Sequence, residues 1–359
     1  MTLNIAIVGC GKIADSHVAE IRKLSCARLV AICDLEPIIA EQLAVRYAVP
    51  KWYTDFDRML SEQRLDVIHI ATPPHSHLSL TQKAVSAGCH VFLEKPLALN
   101  AIDGRRLIEC VQEAGRKMTI NYWPNFETPA LALKEFIARG DLGEPVHVES
   151  YQGYDLSGRF GQALLSDENH WVHRLPGKLF HNIIDHALSK TAPFVSDEAP
   201  EVVARAFRRR PSSHDNTDQL LDELRVMILG SSVSAYITFC SHARPAGQFL
   251  RVYGTKNTAQ VDFMLRTMLV DQFQTVPTSL GRLLPPFKSS WKSLGQATRN
   301  VREFAASRYH FFAGMNRLLS LFYESVLHDT PVPIPYPEIL RVSTIMDEIF
   351  AQVYPKVLA

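Results

Sequence analysis

A lysine closes an apolar run in the stretch VFLEKPLAL, which starts at Val91 and carries Glu94, Lys95 and Pro96 in a row. An ammonium group left unpaired inside a protein is costly. If the run is an interior parallel strand, however, its carboxyl end opens on a ligand crevice, and the lysine is delivered to a bound molecule. A second set of residues names the molecule. Val8 ends the first apolar run, and Gly9, Cys10, Gly11, Lys12, Ile13 and Ala14 then spell G-x-G-x-x-A at the start of a helix-like segment. The first glycine permits a tight turn, the second lets backbone approach a pyrophosphate, and a small third residue keeps helix and strand close. The start of that helix offers backbone N–H groups to the phosphates. Asp34, about 20 residues beyond Ala14 and at the end of the second run, is placed to accept hydrogen bonds from a ribose diol and to repel a 2′-phosphate, which favours NAD over NADP. A third stretch, ATPPHSH, carries Thr72, Pro73 and His77: the prolines stop a strand where a dinucleotide crosses the sheet edge, and His77 opens the next helix.

These residues need a scaffold that brings strand ends together. Short β-branched runs alternate with helix-like segments up to about Tyr122, and the runs are apolar throughout, as in strands covered on both faces. The reading is an α/β N-terminal Rossmann domain, a doubly wound parallel sheet over residues 1–121. Beyond it the rhythm changes to closely spaced runs with one covered face, VHVESYQGY, ELRVMILG and SVSAYITFCS among them. Residues 122–359 are therefore expected to form an α+β C-terminal domain with a large, mostly antiparallel sheet. Apolar positions on both registers of SVSAYITFCS suggest a sheet face covered by another subunit, hence a homo-oligomer, dimer or tetramer. The segment 276–306 reads as an irregular insertion with one helix. Its basic part, 282–308, is also a candidate for docking on a membrane surface or a partner. FFAGMNRLLSLFYESVL and PEILRVSTIMDEIFAQVY read as two closing helices.

At 359 residues the chain exceeds one ordinary hydrophobic core. With 38 basic against 37 acidic residues, nothing global draws it to nucleic acid. Its six cysteines form no C-x-x-C pair and read as buried thiols in a reducing compartment; no metal site is expected. There is no signal-like N-terminus and no apolar run of the roughly 18 residues a membrane span requires, so a cytoplasmic location is expected.

GCGKIA, Asp34, ATPPHSH and LEKP in this order resemble the Gfo/Idh/MocA family, that of glucose-fructose oxidoreductase and inositol dehydrogenase. RGDLGEPVHV, VYGTKNTAQVDF and the closing helices are similar to its second-domain landmarks. The resemblance implies that Lys95 reaches both the nicotinamide ribose and the substrate oxygen; Glu94, next to it in the chain, is placed to fix it. The resemblance also implies a helix bearing an aspartate and a histidine four residues apart, after a glycine-rich turn. The matching stretch is LPGKLFHNIIDHAL, where Asn182 stands at the aspartate position, His186 at the histidine, and Lys178 replaces a glycine. A shifted alignment pairs His181 with Asp185 and loses the family's histidine. His170, Trp171 and His173 precede the turn and are candidates for the same cleft, and Arg208, Arg209 and Arg210 for a phosphorylated or nucleotide-linked sugar.

The implied chemistry is NAD-linked oxidation of a secondary alcohol of a sugar, polyol or nucleotide sugar. In it His186 acts as the base, Lys95 holds the oxygen, and Asn182 orients a hydroxyl without relaying a proton. Two other outcomes on this scaffold are glycoside cleavage using NAD transiently, and a non-catalytic regulator that binds NAD(P).

Overall fold

The computed structural model describes residues 2–167, 169–209, 220–272, 279–307 and 309–355. The chain divides into two compact units. One holds residues 1–123 with Gly314–Ser343, and the other holds Pro124–Ala313 with Thr344–Ala359.

Six strands build the first unit: β1 (Leu3–Val8), β2 (Ala27–Cys33), β3 (Lys51–Tyr53), β4 (Val67–Ile70), β5 (His90–Leu93) and β6 (Met118–Ile120). Their order, β3-β2-β1-β4-β5-β6, is that of the doubly wound dinucleotide-binding sheet, and every pairing is parallel. The unbroken apolar runs follow from this: all four residues of β4 are buried, as are Val91, Phe92 and Leu93 of β5. Helices cross between the strands, and two of them start on side-chain caps, where Asp55 accepts from the Arg58 N–H and Asn100 from the Asp103 N–H. The outer strand β6 is not left bare. The Met118 N–H donates to the Tyr336 hydroxyl at 3.0 Å, and Lys117 Nζ donates to the carbonyls of Ser325 and Thr330. A return segment from the end of the chain therefore completes this unit, which the strand–helix rhythm of the first 121 residues does not disclose.

The second unit is built on seven strands: β7 (Pro145–Gly153), β8 (Glu201–Phe207), β9 (Glu223–Leu229), β10 (Ser234–Cys240), β11 (Gln248–Gly254), β12 (Asn257–Asp262) and β13 (Thr267–Gln272). They lie in the order β13-β12-β11-β7-β10-β9-β8. Only β7 with β10 is parallel; the other five pairings are antiparallel. Alternation explains the two faces. Ala235, Ile237 and Phe239 of β10 are buried, while Tyr236 between them is exposed.

In the segment expected as an irregular insertion with one helix, that helix takes up Ser279–Ala305, 27 residues that include Pro285 and Pro286. The prolines are its seventh and eighth residues, past the first turn, and each withholds an amide donor from the helical ladder. Residues 276–278 and 308 of the anticipated basic segment lie outside the described residues. The two closing helices span Ala313–His328 and Tyr336–Val353. Among the described residues no helix is long and apolar enough to cross a membrane.

Candidate active site

In the first unit β1 and β4 are neighbours whose following helices pack on opposite sides, so the loops leaving their carboxyl ends meet at the switch point of the sheet. Gly9 sits there with φ of 91°, and a Cβ on it would lie 2.7 Å from both the carbonyl carbon and oxygen of Ala71. Only glycine lets the two loops touch. Gly11 is exposed and opens the helix Lys12–Ile21 without any side-chain cap; a Cβ there would meet nothing within 4 Å. Ala14 is wholly buried where helix and strand pack, Ile13 is half-buried, and Lys12 is exposed. Asp34 Oδ2 accepts the Cys10 N–H at 2.7 Å and Oδ1 accepts the Glu36 N–H at 2.9 Å, so the carboxylate is braced against the glycine loop. Burial, with the Asp34 charge next, pushes the Cys10 thiol far up and the Cys33 thiol to about 12; both are inert there.

After β4, the Thr72 hydroxyl pairs with that of Ser76 at 2.7 Å, and Pro73 leads into a single tight turn, Pro74–Ser76. His77 is fully buried, its Nε2 2.8 Å from the Thr72 carbonyl and its Nδ1 3.1 Å from the Leu97 carbonyl. Its ring thus ties the loop after β4 to the loop after β5. Burial lowers its pKa, against the pull of those carbonyls.

The strand β5 ends at Leu93, and the two residues that follow face different surroundings. Lys95 is half-buried, followed by a cis peptide to Pro96. The Glu94 side chain is buried. Its Oε1 accepts from His17 Nε2 at 2.7 Å and from Asn121 Nδ2 at 2.5 Å, and its Oε2 accepts the Lys95 N–H at 3.3 Å. Burial alone would raise this carboxyl; the His17 hydrogen bond and charge, with Asn121 and Lys95, outweigh it, and the net displacement is downward. The row continues inward. His17 Nδ1 and His69 Nδ1 are 2.7 Å apart, sharing one proton, and His69 Nε2 is 2.7 Å from the Tyr323 hydroxyl. Burial, then His17, holds His69 neutral. Glu94 therefore anchors the lysine's backbone to a buried polar row, and its carboxylate is occupied on the inner side. His17, His69, Asn121 and Tyr323 were not among the expected site residues. A histidine inside the apolar strand VIHI was the available signal, of the same kind that marks Lys95.

In the second unit, Gly177 packs under Phe350, whose ring a Cβ would strike, and Lys178 follows with φ of 47°. This left-handed conformation explains why glycine suits position 178, and a lysine there is strained. Lys178 is buried, its ammonium 5.5 Å from the Tyr354 ring, and burial lowers its pKa. The short helices Lys178–Ile183 and Asp185–Thr191 join through Ile184, whose backbone keeps helical bonds to Phe180 and from Leu188. Four-residue spacing then sets Asn182 and His186 on one side, and both are partly exposed. The alternative pair is turned inward: His181 is 1% exposed and stacked on Phe350, and Asp185 is 0% exposed. Of the preceding loop residues, His173 Nε2 is held by the Leu164 carbonyl at 2.8 Å and His170 Nδ1 faces the Val172 N–H, its ring stacked on Trp171. Arg209 lies against Glu223 at 3.5 Å and over the Phe207 ring; Arg210 is outside the described residues. Among the described residues no cluster of three or more His, Cys, Asp or Glu could hold a metal ion.

A glycine loop that backbone contact makes obligatory, an open approach at Gly11 and a braced acid at Asp34 fit a dinucleotide. Residues 3–122 match the model of an oxidoreductase family with an NAD-binding Rossmann fold. The match spans the first domain, about a third of the chain, and over it the chain is similar to the Gfo/Idh/MocA family. Inositol 2-dehydrogenase of Salmonella typhimurium is 32% identical over 151 residues, 41% of this chain and 45% of that protein. The chain thus spans about half the length of the curated relatives it matches first. The fold likeness runs further. An NAD-binding oxidoreductase from Klebsiella pneumoniae superposes with a TM-score of 0.79 at 21% identity, over 98% of this chain and 96% of that one. The WlbA dehydrogenase of Bordetella pertussis, solved with NADH and UDP-GlcNAcA, gives 0.77 at 18% identity, over 99% and 96%.

Proposed function

We propose that the protein is an NAD-dependent oxidoreductase acting on a secondary hydroxyl, or the matching ketone, of a sugar, polyol or nucleotide sugar. The observation that carries this is Lys95 at the carboxyl end of the parallel sheet, on the strand edge that also carries the glycine loop, and anchored through buried Glu94. The relative named inositol 2-dehydrogenase and the fold neighbour holding UDP-GlcNAcA support the substrate class.

When bound, NAD supplies the acceptor for a hydride, so that alcohol becomes ketone with release of one proton. Gly9, Gly11, Lys12 and Ile13 would hold the pyrophosphate, with Ala14 keeping helix and strand close behind them; Asp34 would hold the adenosine ribose, and Thr72 and Pro73 would flank the cofactor, with His77 positioning that loop and Glu94 positioning Lys95. Lys95 donates to the substrate oxygen and stabilises its developing negative charge. His186 removes the hydroxyl proton, a task suited to imidazole near neutral pH. Asn182 orients a neighbouring hydroxyl; its amide cannot relay a proton as the family's carboxylate can.

In this reading residues 1–121, completed by the return segment 314–343, serve the cofactor, and the rest of 122–359 the substrate and self-association, in the cytoplasm. Support for a homo-oligomer comes from the open sheet face, where Val203, Met227 and Tyr236 stand opposite one another on β8, β9 and β10 and are each about 40% exposed. The test is a screen of sugars, polyols and nucleotide sugars for net NADH production. Turnover of a glycoside without net NADH would point instead to transient use of the cofactor. NADH binding without turnover of any compound would point to a regulator.

A further inference from the structure

The helix Ser279–Ala305 is turned inside out. Leu283, Phe287, Trp291, Leu294 and Val301 recur at helical spacing along one side and are 57–73% exposed. The opposite side is polar and faces the body of the second unit: Lys292 Nζ donates to the Val270 carbonyl at 2.9 Å on the outer strand β13, and Asn300 Nδ2 donates to the Leu265 carbonyl at 3.0 Å. An ordinary surface helix buries its apolar stripe; this one presents it outward. Such a stripe, continued by Phe304 at 71% exposed, exceeds the scattered apolar residues of a normal surface.

The charges indicate what covers it. The helix carries five basic side chains against one acidic, Glu303. Lys288 and Arg302 are exposed, and their helical positions border the apolar stripe on the same flank, between it and the body of the protein. Two copies meeting through this stripe would bring basic flanks together, which costs association energy. An anionic lipid surface accepts both features at once, the aromatic and leucine side chains among the acyl chains and the basic flank at the headgroups. We propose that this helix docks the protein peripherally on an anionic membrane surface.

The experiment is co-sedimentation of the full chain with vesicles of phosphatidylcholine alone or mixed with phosphatidylglycerol. The protein is expected to pellet with the mixed vesicles, to be released by added salt, and to remain in solution with phosphatidylcholine. Trp291→Glu should abolish pelleting, and joint Lys288→Gln and Arg302→Gln should weaken partitioning about 25-fold, roughly fivefold per charge removed. All three positions are exposed, so the variants should melt as the wild type does. Wild-type protein that ignores mixed vesicles overturns the proposal, as does pelleting of Trp291→Glu at the wild-type level. A drop in oligomer mass on Trp291→Glu, seen by sedimentation velocity without vesicle binding, assigns the face to a second copy and also refutes it.

Discussion

Replacing Glu94 by glutamine removes one buried charge while keeping the shape of the side chain. Two short hydrogen bonds, from His17 at 2.7 Å and Asn121 at 2.5 Å, lose their charge assistance. The new amide can also place a donor against the Lys95 N–H. A bond to a charged acceptor exceeds a neutral one by about 0.5–2 kcal/mol, so the two together put the loss at roughly 3 kcal/mol. For a unit of about 150 residues that is a fall in melting temperature of about 6–12 °C. The fold holds Glu94 more acidic than its ordinary 4.5. Its charge-linked stability is therefore complete above about pH 4.5 and is lost as the pH falls through the lower folded value. Calorimetry at pH 7 and at pH 3.5 should show a large gap between variant and wild type at the higher pH and a narrowed one at the lower. NADH affinity should change little, since the pyrophosphate loop is elsewhere. A variant as stable as the wild type at pH 7 would refute the view of Glu94 as the ionised anchor of the row.

Gly9→Ala should cost roughly 3 kcal/mol or more and abolish NADH binding by fluorescence titration, because its Cβ would lie 2.7 Å from Ala71 at a φ of 91°. His90 Nδ1 accepts the Lys117 N–H at 2.9 Å, and burial, then Arg116 and Lys117, lowers its pKa to about 4. That contribution is present above about pH 6.5 and is lost progressively as the pH falls toward 4. His90→Asn, which keeps an acceptor that cannot protonate, should gain roughly 1–2 kcal/mol over the wild type at pH 4.5 in urea unfolding. Tryptophan quenching should show NADH bound more tightly than NADPH, with the preference falling about tenfold in Asp34→Ser. Tighter NADPH binding by the wild type would contradict the role given to Asp34.

The parallel sheet was readable because covered strands are apolar throughout, and Lys95 because a charge at the end of such a run needs a reason. Gly9 was readable because a turn with positive φ against a neighbouring loop demands glycine, and the place of Asp34 because it ends the second apolar run; the structure braces its carboxylate on the Cys10 N–H. The row behind Glu94 was not, since Tyr323 meets His69 across 254 positions and only tertiary packing joins them. Asn182 and His186 came from family likeness, and exposure is what separates that pair from His181 and Asp185. The helix at 279–305 shows a limit of periodicity: spacing gives the apolar stripe, but which side meets the protein depends on the partners of Lys292 and Asn300.

The central claim is that Lys95 acts on the substrate oxygen and touches the nicotinamide ribose, while the pyrophosphate of the dinucleotide is held elsewhere. The most direct test follows NADH formation by wild type and Lys95→Ala with the best compound from the substrate screen, alongside NADH binding by both. The account predicts that the variant retains part of its NADH binding and forms no NADH from substrate. Full turnover by Lys95→Ala would contradict it.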